Sequence, residues 1–239
     1  MTAPARPGTP DSLPAGLAED LAAAALVLAG RLHAGATLWC GSPSWPHHAQ
    51  HVAVEFVHPV IVGKPALPAV ALPGQGLTAV ARANVAPGDV LFVIADADDA
   101  AVVDLLRRAP AWGATSFWVG AGPRPPAGSA DQVLWLPDDE HAAHDGRFIL
   151  LYHLLWELAH VCLEHRGLLE PSIAAEGPVC ITCSDEGRLA EVLTVTSTTA
   201  RVRTSTGFED VDLSLVRGAA PYDLVVVHAG MAITRLDAA

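Results

Sequence analysis

From about residue 12 to residue 166 the chain alternates two apolar patterns. Some segments repeat apolar positions at helical spacing, and others are short unbroken apolar runs closed by Gly, Asp or Pro. A helix is predicted from Ser12, a possible cap, to about Ala34. "ATLWC" is a buried strand closed by Gly41. "PHHAQHVAVEFVH" is a helix with Pro46 in its first turn, where proline's missing N–H costs nothing. "ALPAVAL" and "GDVLFVIAD" are strands. "DDAAVVDLLRRA" is an amphipathic helix with acids at its start and arginines at its end, the order the helix dipole favours. "ATSFWVGA" and "QVLWLP" are strands, and "DGRFILLYHLLWELAHVCLEH" is a long, mostly buried helix. Alternating β and α units imply a parallel sheet covered on both faces.

The pattern then changes. Residues 167–179 read as a linker. Residues 180–239 lose the helical period and become β-branched and alternating, with turn signals at Ser197–Thr198 and Thr206–Gly207. Several short strands with tight turns predict a small OB-like β-barrel. The fold class is therefore α/β, a three-layer parallel-sheet unit followed by a barrel. Residues 1–11 form a Pro-rich lead without the basic-then-apolar layout of a secretory signal.

Charge narrows the classes. The 26 acidic residues outnumber the 14 basic ones and give a formal charge of -12. Such a surface repels phosphate backbones and anionic lipid, so neither a nucleic acid nor a membrane is an expected partner. The richest apolar run carries Glu19 and Asp20 and is too short to span a bilayer. Four cysteines, with Cys40 and Cys162 inside apolar segments, do not make a disulfide framework, and a cytoplasmic protein with reduced thiols is expected.

Two motif sets carry resemblances. Over residues 12–166, "TLWCGSPSWPHHAQHVAVEF" and "GKPALPAVAL" resemble SIS (sugar isomerase) domains of the phosphoheptose isomerase subgroup, which pair a C-G-N-G-G-S turn with A-x-H-x-x-x-E and A-L-P-A-I/V-A-L. The resemblance implies a metal site at His51, Glu55 and His153, with Asp145 where the subgroup has Gln. Zinc or another borderline divalent ion suits such ligands. The bland alternative is a set of histidines at a subunit interface. The phosphate-binding loops are altered. Ser42 and Ser44 stand in "GSPSWP", where two prolines remove donors. Asp96, Asp98 and Asp99 stand where the subgroup has a Ser/Thr-rich run, and three carboxylates there would repel a phosphate dianion. Asp98 and Asp99 also suit a helix cap and first-turn charge.

From Cys180 to Asp237, "GRLAEV", "EDVDLSLV" and "YDLVVVHAGMAITRLD" resemble the HypC/HupF chaperones of [NiFe]-hydrogenase maturation. That resemblance implies a cysteine thiolate holding iron as the Fe(CN)2CO unit, a HypD-type partner, and docking on the hydrogenase large-subunit precursor. It assigns Cys180 as the ligand, Cys183 as an assistant and His228, placed inside a buried strand, as ligand or positioning group. A soft thiolate suits an iron with π-acceptor ligands. Taken alone, C-x-x-C could be a redox pair or half of a zinc site.

The leading expectation is a maturation accessory protein or chaperone without turnover of its own, whose SIS unit is a scaffold for a homodimer or homotetramer. The alternatives are a metal-dependent sugar-phosphate isomerase of phosphoheptose type and a protein-binding regulator built on the SIS fold.

Overall fold

A computed structural model describes residues 16–137, 146–169 and 187–236. The first unit contains helices α1 (Leu17–His33), α2 (Pro46–Val57), α3 (Leu77–Asn84), α4 (Ala100–Trp112) and α5 (Arg147–Glu164), and strands β1 (Leu38–Gly41), β2 (Ala69–Ala71), β3 (Val90–Ile94), β4 (Thr115–Ala121) and β5 (Gln132–Leu136). The strands form one parallel sheet in the order β2-β1-β3-β4-β5. Alternation along each strand separates two cores. Val90, Phe92 and Ile94 point to the face packed by α1, α2 and α5, while Leu91 and Val93 point to the face packed by α3 and α4. This is the doubly covered sheet that the unbroken apolar runs predict.

Several boundaries move. Leu17 starts α1, and the left-handed Gly16 precedes it; the expected cap Ser12 lies outside the described residues. Helix α4 runs one turn past its arginines, through Pro110 to Trp112, so Arg107 and Arg108 are mid-helix and not at its end. Left-handed Gly113 closes the helix, its cap N–H groups bonding to the carbonyls of Ala109 and Pro110, and Pro110 lies in the last turn. Helix α3 is short and has no acidic start. Its apolar positions are few, and sequence reading passes over it.

Strands β6 (Arg188–Thr196), β7 (Thr199–Thr204), β8 (Gly207–Asp212), β9 (Leu224–His228) and β10 (Met231–Leu236) close a five-stranded barrel in the order β10-β8-β7-β6-β9. All pairings are antiparallel except the closing β10–β8 contact. Ala190, Val192, Ala200, Val202, Val225, Val227 and Ala232 fill the interior, the small residues that a narrow barrel admits. Both expected turn regions are present. Ser197 takes positive φ between β6 and β7.

The two units meet at α3 and α4. Glu191 of β6 is fully buried there. Its Oε1 accepts hydrogen bonds from Arg82 Nε at 3.0 Å and Arg108 Nη1 at 2.6 Å, and its Oε2 accepts from Trp112 Nε1 at 2.9 Å. Arg203 of β7 donates to the carbonyls of Arg82 and Val85. The Arg82 guanidinium lies 4.2 Å from the Tyr222 ring centre, and that of Arg203 lies 5.2 Å from the Trp112 ring centre. Gly113 allows this contact, since a β-carbon there would lie 2.7 Å from Ser205 O.

Removing one side of a buried, fully hydrogen-bonded ion cluster strands the remaining charges. Glu191→Ala is therefore expected to lower the unfolding free energy by about 3–5 kcal/mol in denaturant titration. The exposed pair Arg201–Asp210 is a control, and Asp210→Asn should change stability by less than about 1 kcal/mol.

A candidate metal centre between helices α2 and α5

Helix α2 begins at Pro46, whose fixed φ suits a first turn, and carries His48, His51 and Glu55. Spacing of four places His51 and Glu55 on one helical face. Helix α5 crosses beside them, held by Trp156 Nε1, which donates to Glu55 O at 3.0 Å. The crossing brings His153 of α5 to the same point.

The resulting geometry is a triangle. His51 Nε2 lies 3.2 Å from Glu55 Oε1 and 3.4 Å from His153 Nε2, and His153 Nε2 lies 3.8 Å from Glu55 Oε1. Tetrahedral zinc with N/O ligands at about 2.0–2.1 Å has ligand–ligand edges of about 3.3 Å. The three edges here are close to one face of that tetrahedron, so the donor set fits a divalent ion by chemistry and by size. His51 and His153 keep 34% and 44% of their side-chain surface, which leaves one side open for water or a ligand. Asp145, the fourth expected ligand, lies outside the described residues.

The same crossing contains a residue that sequence reading does not single out. Tyr152 Oη lies 2.9 Å from His51 Nδ1 and 3.4 Å from His48 Nδ1, and both Tyr152 and His48 are buried. A hydroxyl inside an otherwise apolar helical face, next to His153, was the available signal. Burial, with Glu55 nearby, pushes the Tyr152 phenol up, so it stays protonated.

The altered phosphate loops take definite forms. Ser42 is buried, and its hydroxyl donates to Ile94 O at 2.7 Å. Ser44 is exposed, and Trp45 packs its ring 5.8 Å from that of Phe148. Asp99 caps α4, its Oδ1 accepting from Ala101 N at 3.0 Å and Val102 N at 3.1 Å. The helix N-terminus, where an anion would bind, is thus filled by the chain's own carboxylate. Asp96 and Asp98 are exposed beside it. Desolvation, then the charges of Asp98 and Asp99, hold the Asp96 carboxyl above its usual range.

In the barrel, His228 is the last residue of β9 and is exposed, not enclosed in the strand as expected. Val225 and Val227 take the inward positions, so the alternation turns Val226 and His228 outward. Ala229 and Gly230 both have positive φ and make the hairpin turn to β10. Cys180 and Cys183 lie outside the described residues. Cys40 is buried and its thiol pushed up by desolvation, as an inert core residue.

The chain matches no protein-family profile, and no curated protein matches it. Solved structures do. A phosphoheptose isomerase from Francisella tularensis is 23% identical, with a TM-score of 0.52 over 63% of this chain and 88% of that one. A phosphoheptose isomerase from Neisseria gonorrhoeae is 20% identical, with a TM-score of 0.50 over 63% and 88% of the two chains. These likenesses define the class of the N-terminal unit: it has the SIS-type fold of phosphoheptose isomerases, followed here by a closed five-stranded barrel. Among the described residues no helix is long and apolar enough to cross a membrane.

The raised Asp96 has a measurable sign. A carboxyl whose folded value exceeds its unfolded one favours the fold while protonated, and that advantage is lost as pH rises through the folded value. Asp96→Asn should therefore raise the melting temperature at pH 7 and leave it nearly unchanged well below the usual carboxylate range. Thermal melts across pH 3 to 8 check this.

Proposed function

We propose that the N-terminal unit is a divalent-metal site of phosphoheptose-isomerase type that acts on a hydroxycarbonyl sugar. One observation carries the reading: Nε2 of His51, Nε2 of His153 and Oε1 of Glu55 sit at the corners of a triangle of metal-ligand size. Among the described residues the site offers three protein ligands with partly exposed imidazoles, the arrangement of catalytic rather than structural centres. When bound, the ion would polarise a carbonyl oxygen. Glu55 Oε2, the carboxylate oxygen outside the triangle, would then be the proton acceptor beside that carbonyl, the role that aldose–ketose interconversion requires. The substrate carries no phosphate where Asp99 closes α4. Ser42 is committed to Ile94 O, and the neighbouring acids repel a dianion.

Elemental analysis of the purified chain should find one zinc-class ion, lost in His51→Ala and in His153→Ala. Sedoheptulose should be isomerised in preference to sedoheptulose 7-phosphate, with turnover abolished by Glu55→Ala. A wild-type protein that takes up no metal would overturn this reading.

A second reading rests on the barrel. The motif "VVHAGMAI" spans the β9–β10 hairpin and places His228, exposed, at the end of β9. By this reading the chain is a [NiFe]-hydrogenase maturation chaperone. The cargo is the Fe(CN)2CO unit, carried on Cys180 with Cys183 assisting and His228 orienting the thiolate. The partners are a HypD-type protein and the large-subunit precursor, met in the cytoplasm. The SIS unit then serves as a scaffold that joins copies into a dimer or tetramer.

Infrared spectra of protein purified without oxygen, together with the HypD-type partner, test it. Cyanide and carbonyl bands lost in Cys180→Ala support the chaperone reading. A formed complex without bands overturns it.

A further inference from the structure

The hydrogen-bond chain His48–Tyr152–His51 has a property that packing alone does not require. A neutral imidazole carries one proton on one of its two nitrogens, and a phenol both donates and accepts. In the absence of an ion, His51 Nε2–H donates to Glu55 Oε1. His51 Nδ1 then accepts from the Tyr152 hydroxyl, and the Tyr152 oxygen accepts from His48 Nδ1–H. An ion on Nε2 needs the lone pair there, which moves the proton to Nδ1. Nδ1–H then donates to the Tyr152 oxygen, and the Tyr152 hydroxyl turns to donate to His48 Nδ1. In the same exchange the His48 proton passes from Nδ1 to Nε2, so all three groups are neutral in both arrangements. A phenylalanine would fill the same space and could serve in neither.

We propose that Tyr152 is a positioning residue for the metal centre, acting through the His48–Tyr152–His51 chain to place the His51 proton on Nδ1 and free Nε2 as a ligand. This rests on the reading of His51, Glu55 and His153 as a metal site. Partners of this kind typically change metal affinity 10–100-fold. Tyr152 and His48 are buried, so water does not replace the lost hydroxyl at low cost.

The test is a zinc titration of the full chain against a chromophoric chelator, with Tyr152→Phe and His48→Phe beside the wild type. Ring-nitrogen NMR of His51 is recorded with and without zinc. The expected result is zinc binding weakened about 10–100-fold in Tyr152→Phe. The shift of His51 from the Nε2–H to the Nδ1–H form, complete in the wild type, should become incomplete in the variant. His48→Phe should weaken binding in the same direction and by less, and it keeps the question open to test if Tyr152→Phe does not fold. Unchanged affinity and an unchanged tautomer shift, with only a lower melting temperature, would assign Tyr152 to packing and overturn the proposal. A wild type that binds no zinc removes the metal centre itself, which distinguishes that failure from this one.

Discussion

The burial of one carboxylate organises the two halves of this molecule. Glu191 leaves water entirely, and in a low-dielectric contact that would cost several kcal/mol without compensation. Two arginines and an indole supply it, and they come from α3 and α4, not from the barrel that carries Glu191. The barrel therefore satisfies its own buried charge only by docking on the sheet's helical layer. Arg203 returns the dependence, since its partners are carbonyls at the end of α3. With Leu224 joining the core beneath α4, the two units share one apolar layer. Their mutual orientation follows from these contacts rather than from the length of chain between them.

The opposite face of the sheet answers to different demands. There α1, α2 and α5 pack a core of Leu, Phe and Ala, and the polar groups collect where α2 and α5 cross. His48 and Tyr152 are buried, while His51 and His153 are partly open. Polarity graded from inside to outside lets a rigid hydrogen-bonded base hold ligands at a solvent-facing rim. The barrel sits on the other helical layer, so its attachment leaves this crossing uncovered.

Much of this was legible in the residues. Unbroken runs such as "VLFVI" require a sheet buried on both faces, and alternation after residue 187 requires strands with one wet face. His51 and Glu55 could be paired from their spacing, because four residues return to one helical face. His153 could join them only through resemblance, since no local rule brings two helices together. Tyr152 and Glu191 were not legible for the same reason: each is defined by partners about 80 to 110 residues distant. The exposure of His228 was missed because the apolar run around it hides which residues take the inward positions. Helix α3 has too few turns for its period to stand out.

The cap on α4 has one more implication. Asp99 is tied by its own backbone to the amides it occupies, so it meets them at an effective concentration of the millimolar order or above. A free anion at ordinary cellular levels competes against a group that never diffuses away. Selectivity at this helix end is thus set by a competitor built into the chain. Anything that binds there arrives with enough additional contacts to displace that carboxylate, or it does not carry the charge at all.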